Sequence, residues 1–298
     1  MKISVESLTE ILSLQKEKKP LIHCISSVVT MNDLSQGILS YNGKSIMASS
    51  IDEVGEITSK ASGILINLGT LDNKRIAAME KSLRIATRKN KPVVLDVVGA
   101  DISFFRREIA LVFLARYKID VIKGNVSEIK ALLDKKSEKD KETNGDIEDI
   151  NIKENGYEMQ NKTIKSDYEI RERMRSFSKI YKTILVATGE GNESYVTDGF
   201  SEFFISNGRN EFENVVGVNS ILGGLISVGI SVARTNAEKV QAVLIAIMTM
   251  GVSQELAYEK VGHESGVMSL KNTLIDEISL IDNKKLENMG KIVYVFKR

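Results

Sequence analysis

The apolar residues of the chain follow two alternating spacings. Short β-branched runs, which are typical of buried strands, lie at 63–67, 91–99, 119–122, 183–187, 194–197 and 291–296. Stretches with an apolar residue every three or four positions, which are typical of helices, lie at 7–14, 31–39, 72–90, 127–133, 168–181 and through most of 220–280. Strands that alternate with helices predict an α/β fold with a mostly parallel central sheet flanked by helices on both faces.

The two most apolar stretches are 221–233 and 240–252. Each is about 13 residues long, shorter than the roughly 20 apolar residues that a helix needs to span a bilayer. We therefore predict that both are helices buried in the core, and that the chain has no membrane partner.

The composition changes between residues 134 and 167, where polar and charged residues of both signs replace almost all large apolar side chains. Such a segment cannot bury enough apolar surface to offset the entropy lost on ordering. We predict a polar surface insertion in a single domain that spans residues 1–298. Docking of a partner onto the insertion is the alternative.

The charges of the chain nearly cancel. It has 41 basic and 40 acidic residues and a formal net charge of +1, which gives no electrostatic attraction to nucleic acid. The single cysteine, Cys24, cannot form an internal disulfide, and the first residues do not have the pattern of a signal peptide. These features predict a cytoplasmic protein that does not bind nucleic acid.

Polar side chains stand at the ends of several predicted strands, at Asn67, Asp96, Asn125 and Thr188, and Glu128 follows shortly after one of them. Ligands of parallel α/β sheets bind beyond the carboxyl ends of the strands. Asp96 and Glu128 supply the oxygen ligands that Mg²⁺ prefers. The alternative is that these acids only cap the helices that follow.

A second candidate is the glycine-marked segment 215–224, VVGVNSILGG, which leads into a long apolar helix. The amino end of a helix presents free N–H groups and the positive end of the helix dipole, which favour a phosphate or a developing negative charge. The alternative is structural: Asn219 or Ser220 caps the helix, while Gly223 and Gly224 allow close packing.

Several common motifs are absent from the sequence. It contains no G-x-x-x-x-G-K-[ST] phosphate loop, no dinucleotide-binding glycine fingerprint and no G-x-S-x-G nucleophile elbow. Cys24 and the histidines do not have the spacing of a zinc site. We predict that His23 packs in the core and makes a hydrogen bond rather than acting in catalysis.

A series of segments occurs in one order along the chain: LIHCISSVVTMND, SIMASSIDEV, INLGTL, KPVVLDVVGAD, DVIKGNVSEIKALL, VATGE, YVTDG, VVGVNSILGG and VQAVLIAIMTMGVSQELAYEKVGHESG. In order and approximate spacing they resemble the hydroxyethylthiazole kinase family, over all of the chain except 134–167. The resemblance implies a ribokinase-like fold and a homotrimer with sites at the subunit interfaces. It also implies phosphorylation by ATP of the alcohol of 4-methyl-5-(2-hydroxyethyl)thiazole in thiamine biosynthesis or salvage.

The resemblance implies four groups of site residues: a thiazole pocket, a site for the ATP phosphates, a pair of acids linked to Mg²⁺, and residues that act near the substrate hydroxyl. In that order the groups are Met47, Gly217 and Asn32; Lys123 and Thr188; Asp96 and Glu128; and Ser220 with Gly217 and Asn219.

The chain departs from the family pattern in the loop before the long apolar helix. It reads VGVNS at 216–220 where the family usually reads T-G-T-G-C, so that Ser220 stands in the position of a cysteine. A serine hydroxyl is not a competent base at neutral pH, and Asn219 enters positive φ less freely than glycine. Lys123 replaces the usual arginine, which exchanges a planar phosphate clamp for a point charge. Other replacements are Ser27 for Asn, Val97 for Pro and Asp101 for Gly.

These departures affect the rate more than the type of reaction. Phosphoryl transfer depends mainly on positioning and on neutralisation of charge, so the loss of a base does not abolish it. We predict a slow thiazole kinase. Two alternatives remain open: a homologue that binds thiazole or nucleotide without catalysis, and a kinase for another small alcohol.

Overall fold

The structure is a computed structural model, and it describes residues 5–134, 164–189, 192–262 and 265–295. The predicted polar insertion therefore lies mostly outside the described residues. The described strands, β1 to β9 in chain order, are Leu21–Ile25, Lys44–Met47, Gly63–Asn67, Val93–Asp96, Val121–Asn125, Ile184–Thr188, Ser194–Thr197, Glu202–Ile205 and Ile292–Val295.

These strands form one sheet in the order β2-β1-β3-β4-β5-β6-β7-β8-β9. Every pair from β2 to β6 is parallel, and the pairs from β6 to β9 are antiparallel. The carboxyl ends of β1 to β6 consequently meet at one edge of the sheet. The prediction of a mostly parallel sheet is confirmed.

Helices cover both faces of this sheet. The described helices, α1 to α11 in chain order, are Val5–Lys18, Met31–Ser40, Val54–Lys60, Asn73–Arg88, Phe104–Arg116, Val126–Leu133, Tyr168–Tyr181, Val218–Val232, Asn236–Val261, Val267–Ser279 and Asn283–Met289. Helices α1, α2 and α8 to α11 contribute to the apolar cluster on one face, and α3 to α7 contribute to the cluster on the other face. The predicted α/β layering is confirmed.

Strand β3 shows how the sequence pattern produces the two layers. All five of its residues, GILIN, are buried. Successive side chains of a strand point to opposite faces, so Leu65 packs in one apolar cluster while Ile64 and Ile66 pack in the other. A strand that is covered on both faces therefore has a continuous apolar sequence.

Helices α8 and α9 contain the two most apolar stretches of the chain. By length and composition alone α9 is long and apolar enough to cross a membrane, but 83% of its most apolar window is buried inside the fold. Among the described helices it is the one that meets this criterion. Its burial confirms the prediction of a core helix.

Some elements differ from the sequence predictions. No prediction covers β1, β2, β8, α3, α5 or α11. The strand predicted at 119–122 lies at Val121–Asn125 instead. The Asp120 carboxylate accepts a hydrogen bond from the Val93 N–H at 2.9 Å, and the strand continues through the charged Lys123. A search for apolar runs does not find the later part of this strand, because it contains Lys123, whose charge is paired inside the protein.

Candidate active site

A cavity of about 870 Å³ opens where the parallel strands end. Its wall includes Asn125 and Thr188, at the carboxyl ends of β5 and β6, and Val218 and Asn219, at the amino end of α8. Part of the wall is apolar and is formed by Leu222, Ile247 and Met250. The volume and position are those of a ligand site in an α/β sheet.

Asp96 ends β4 and is completely buried. Its Oδ2 accepts hydrogen bonds from Asn67 Nδ2 at 3.0 Å and from Lys123 Nζ at 3.2 Å. Its Oδ1 is buried and has no hydrogen-bond partner within the part of the chain that the structure describes. Burial raises the pKa of this carboxyl group, and the Lys123 ammonium opposes the shift. One carboxylate oxygen is therefore held by the protein, and the other is unsatisfied behind the cavity wall, which Asp96 itself does not line.

Lys123 lies in β5 and is 1% exposed. Its ammonium forms a salt bridge with Asp96 and does not line the cavity. Withdrawing the ammonium towards a phosphate would leave the Asp96 charge buried and unpaired, which is strongly unfavourable. The structure thus brings Lys123 together with Asp96, whereas Thr188, the other residue expected at the ATP phosphates, lies on the cavity wall.

Glu128 closes the first turn of α6 in a capping box. Its Oε2 accepts a hydrogen bond from the Asn125 N–H at 2.7 Å, and Asn125 Oδ1 accepts one from the Glu128 N–H at 2.8 Å. Its Oε1 accepts a third from the Gly99 N–H at 2.8 Å. Burial raises the pKa of Glu128, and the two N–H donors oppose this shift. Glu128 therefore caps α6, as the alternative considered from the sequence has it, and also holds the turn after β4.

Of the two acids, Asp96 has the free oxygen that fits Mg²⁺, while both Glu128 oxygens already accept N–H hydrogen bonds. Among the residues that the structure describes, no group of three or more His, Cys, Asp or Glu side chains is placed to hold a metal ion. Mg²⁺ needs no such group, because it keeps several waters and is commonly held by one or two carboxylates and the phosphates of a substrate. The unpartnered Asp96 Oδ1 fits this role.

The loop before α8 turns sharply at Gly217. This residue has φ +103° and is the N-cap of α8, and only glycine adopts such a conformation readily. A Cβ atom here would lie 2.8 Å from Asp33 Oδ2. The turn places Val218 and Asn219, whose N–H groups belong to the amino end of α8, on the cavity wall. This end of α8 is suited to a negatively charged group.

Ser220 is buried in the first turn of α8, where its Oγ accepts a hydrogen bond from Thr30 Oγ1 at 3.0 Å. Gly224 packs closely, since a Cβ there would lie 2.7 Å from Leu34 Cδ1, whereas a Cβ at Gly223 would make only ordinary contact, 3.5 Å from Asp96 Oδ2. The close packing considered for these glycines is present at Gly224 and not at Gly223. It brings the first turns of α8 next to Asp96.

The residues expected at the thiazole do not line the 870 Å³ cavity. Asn32 is exposed at the start of α2, and Met47 ends β2 and packs half-buried against the core. A Cβ at Gly217 would lie against Asp33 of α2, and Asp33 Oδ2 pairs with Lys271 Nζ at 2.9 Å. Helix α2 thus brings Asn32 near the Gly217 turn. Met47 lies at the end of β2, the strand that packs beside α2.

His23 is completely buried in β1 and makes two hydrogen bonds. Ala48 O lies 2.9 Å from its Nε2 and can only accept, so Nε2 carries the proton; Nδ1 then accepts from Thr58 Oγ1 at 2.9 Å. The prediction of a packed, hydrogen-bonded histidine is confirmed. The bond to Ala48 also fixes the backbone directly after Met47.

The buried imidazole makes stability depend on pH. Burial lowers the pKa of His23, although the bond to Ala48 and the Glu53 carboxylate oppose the shift. Because the unfolded chain takes up a proton at about pH 6.5 and the folded protein does so only at lower pH, this contribution to stability is full above that pH and is lost below it. We expect the melting temperature of the parent to fall more steeply between pH 7 and pH 5 than that of His23→Asn. Parallel curves of melting temperature against pH would contradict this.

Sequence reasoning missed several residues of the cavity. Arg107 of α5, Asn207 of the segment after β8 and Gln254 of α9 all line it. Gln254 Oε1 accepts a hydrogen bond from the Arg209 N–H at 3.2 Å. Because these residues come from separate elements, no short sequence pattern joins them.

Comparison with known proteins identifies the family. The model of the family described as "Hydroxyethylthiazole kinase family" matches residues 12–284 of the chain. The chain belongs to the hydroxyethylthiazole kinase family. The resemblance carried by its motifs is confirmed, and with it the prediction of a kinase.

Individual hydroxyethylthiazole kinases match over nearly the whole chain. One from Clostridium perfringens (strain 13 / Type A) is 32% identical over 94% of this chain and 98% of its own length. The solved structure of the one from Pyrococcus horikoshii OT3 has a TM-score of 0.80 at 27% identity, and covers 97% of this chain and 99% of that chain. A Bacillus subtilis pyridoxal kinase, solved as an ADP complex, has a TM-score of 0.56 at 12% identity over 79% of this chain and 91% of that chain, a likeness of fold alone. The predicted ribokinase-like fold is confirmed.

Proposed function

We propose that the protein transfers a phosphoryl group from ATP to the alcohol of 4-methyl-5-(2-hydroxyethyl)thiazole in thiamine biosynthesis or salvage, with Mg²⁺ as cofactor. The observation that carries the proposal is the match to the hydroxyethylthiazole kinase family over residues 12–284. It is supported by a large cavity that ends at the amino end of α8, next to the buried Asp96.

The cavity wall offers a place for each part of ATP. The apolar wall of Leu222, Ile247 and Met250 suits the base, and Asn125 and Thr188 at the strand ends suit the phosphates. Asp96, through its unpartnered Oδ1, and Glu128 would hold Mg²⁺, which would neutralise phosphate charge when bound.

The amino end of α8 acts on the reacting groups. The Asn219 N–H group stabilises the negative charge that develops on the transferred phosphoryl group, together with the positive end of the α8 dipole. The alcohol is held near Gly217, between Asn32 and Met47. Ser220 does not act as a base at neutral pH. A general base contributes typically about 10²–10⁴-fold, so we expect slow turnover that depends on positioning and charge.

The first experiment incubates the purified protein with ATP, Mg²⁺ and the thiazole alcohol, and detects the phosphorylated thiazole by mass spectrometry. We expect product from the parent. We expect Ser220→Cys to form it at least about tenfold faster. A thiol loses its proton more readily than a hydroxyl, and the resulting thiolate can accept the proton of the alcohol.

Ser227→Cys is the matched control, because Ser227 is also buried in α8 but lies about two and a half turns from its amino end, where its Oγ donates to Gly223 O at 2.8 Å. It is expected to leave the rate unchanged. Product from Ser220→Cys and none from the parent would favour a homologue that binds without catalysis, which the Asn219 and Ser220 replacements support. Product from neither, but from another small alcohol, would contradict the proposed substrate.

We also propose a cytoplasmic homotrimer of single-domain subunits, with the thiazole site at the subunit interface. Exposed apolar side chains flank the Gly217 turn, the loop before Thr30 and the start of α10; they are Val216, Val28, Val29, Val267 and Met268. A second subunit over this region would cover them. Light scattering after size exclusion should give three times the 33.0 kDa mass of the chain.

A further inference from the structure

Arg107 lines the 870 Å³ cavity from the first turn of α5, where its N–H donates to Ser103 O at 3.1 Å. Within the part of the chain that the structure describes, its Nε is buried without a hydrogen-bond partner and its guanidinium forms no salt bridge. Its Cζ lies 5.7 Å from the centre of the Phe104 ring. A buried donor without a partner is unfavourable unless a ligand or water satisfies it. Arg107 is therefore placed to bind an acceptor in the cavity.

The other cations near the cavity are committed or different in kind. Lys123 is buried against Asp96, 3.2 Å away, and does not reach the wall. Arg209 lies over the Tyr258 ring at 4.0 Å and pairs with Glu211 at 2.9 Å. Lys130 lines the wall but is exposed and offers a point charge. The Nε of Arg209 is also buried without a partner in the described chain, but its guanidinium is paired with Glu211. Arg107 is the guanidinium on this wall that no described carboxylate pairs.

The surroundings of Arg107 favour an anion as that ligand. The same wall contains Val126 and Ser127 at the amino end of α6, and Val218 and Asn219 at the amino end of α8. The amino end of a helix presents N–H groups and the positive end of the helix dipole, which attract an anion. Guanidinium groups match the geometry of phosphate with two parallel hydrogen bonds.

The acids on the same wall are Asp101, Asp134, Glu193 and Glu213. Asp134 pairs with Arg173 at 2.8 Å, Glu193 pairs with Lys165 at 3.5 Å, and Glu213 is exposed to solvent. Asp101 does not cancel the preference for an anion either. Its Oδ1 accepts a hydrogen bond from the Ile102 N–H at 3.0 Å, which ties the carboxylate to its own loop. The loop and α5 follow directly after β4, so Arg107 is fixed to the same segment as Asp96. An anion bound by Arg107 would therefore have a fixed position relative to Asp96.

We propose that Arg107 binds the phosphate chain of the nucleotide, so that α5 carries the planar phosphate clamp which family resemblance places on β5. The proposal rests on the proposed function, because it takes ATP as the occupant of the cavity. The proposal also gives a role to Lys123, which stands where the family usually has arginine. The Lys123 ammonium on β5 neutralises Asp96, and the Arg107 guanidinium on α5 contacts phosphate.

The test measures binding of ADP and of adenosine by titration calorimetry, with Mg²⁺ present. A charged hydrogen-bonding contact is worth roughly a 10- to 100-fold change in Kd. We expect Arg107→Gln to raise the Kd of ADP by about this factor and to leave the Kd of adenosine within about twofold, because adenosine has no phosphate. Arg107→Lys should retain part of the affinity for ADP.

Arg116→Gln is the matched control. Arg116 lies in the last turn of the same helix, pairs with Glu80 at 3.5 Å and does not line the cavity, so its replacement should leave both Kd values unchanged. An unchanged Kd of ADP in Arg107→Gln overturns the proposal, as does an equal loss of adenosine affinity, and so does a parent that binds no ADP. If the parent shows the Arg107-dependent Kd but does not phosphorylate the thiazole, the proposed function fails and the phosphate contact stands.

Discussion

Replacing Asp96 by asparagine is expected to lower turnover by about 10³-fold, the upper range for removal of one charge-stabilising group. It is also expected to lower the free energy of unfolding by about 3–5 kcal/mol, the usual effect of removing one partner of a buried ion pair. The two losses have different causes. Turnover falls because the unpartnered Oδ1 no longer belongs to an anionic carboxylate that can hold Mg²⁺. Stability falls because the Lys123 ammonium, 1% exposed, loses its counter-charge.

The double variant Asp96→Asn/Lys123→Met separates these causes. Removing both charges of a buried pair is often neutral or stabilising, so urea unfolding should show most of the lost stability restored while initial rates stay low. Glu56→Gln, which breaks the exposed pair with Lys60, is the control and should change neither quantity. Asp96→Asn with turnover within about tenfold of the parent would contradict the role of Asp96, as would recovered turnover in the double variant.

The sequence predicts the elements whose residues are buried on both faces. Strand β3 is an uninterrupted apolar run, and its bounds are predicted to the residue. Strands β1 and β2 escape prediction for physical reasons. In β1 the apolar run is broken by His23, whose polarity is satisfied by distant partners, Thr58 and Ala48. In β2, at the edge of the sheet, no residue is fully buried, so the apolar signal is weak.

The site is predictable only where it coincides with the ends of strands and helices. Asp96 and Thr188 follow apolar runs, so their place at the sheet edge is deduced from the parallel pattern alone. The burial of Lys123 against Asp96 is not predictable in this way, because it depends on how β4 and β5 pair. Arg107 carries no motif, and its place on the cavity wall results from the docking of α5 over the sheet.

Replacing Gly217 by alanine is expected to lower turnover by about 100-fold, because a displacement of about 1 Å in a reacting group can cost that much. It should also lower the free energy of unfolding by about 1–3 kcal/mol, the cost of a strained backbone conformation. Alanine does not readily adopt φ +103°, and its Cβ would lie 2.8 Å from Asp33 Oδ2. Asp33 cannot move away freely, since Lys271 holds it at 2.9 Å. The loop must shift instead, and it carries the amino end of α8 with it.

Two other glycines distinguish backbone strain from displacement of α8. Gly262 has φ +72°, and within the described residues a Cβ there has no neighbour within 4 Å; Gly262→Ala should lose stability but keep its turnover. Gly266 has φ −74° and is equally open in the described structure. Gly266→Ala should keep its turnover and lose only the small preference for glycine at the N-cap of α10. Unfolding curves and initial rates measured for all three variants decide the matter. Gly217 and Gly262 share a positive φ, but only Gly217 precedes α8. Turnover lost only in Gly217→Ala would therefore show that catalysis depends on the position of the α8 amino end. Equal turnover in the three variants would contradict that dependence.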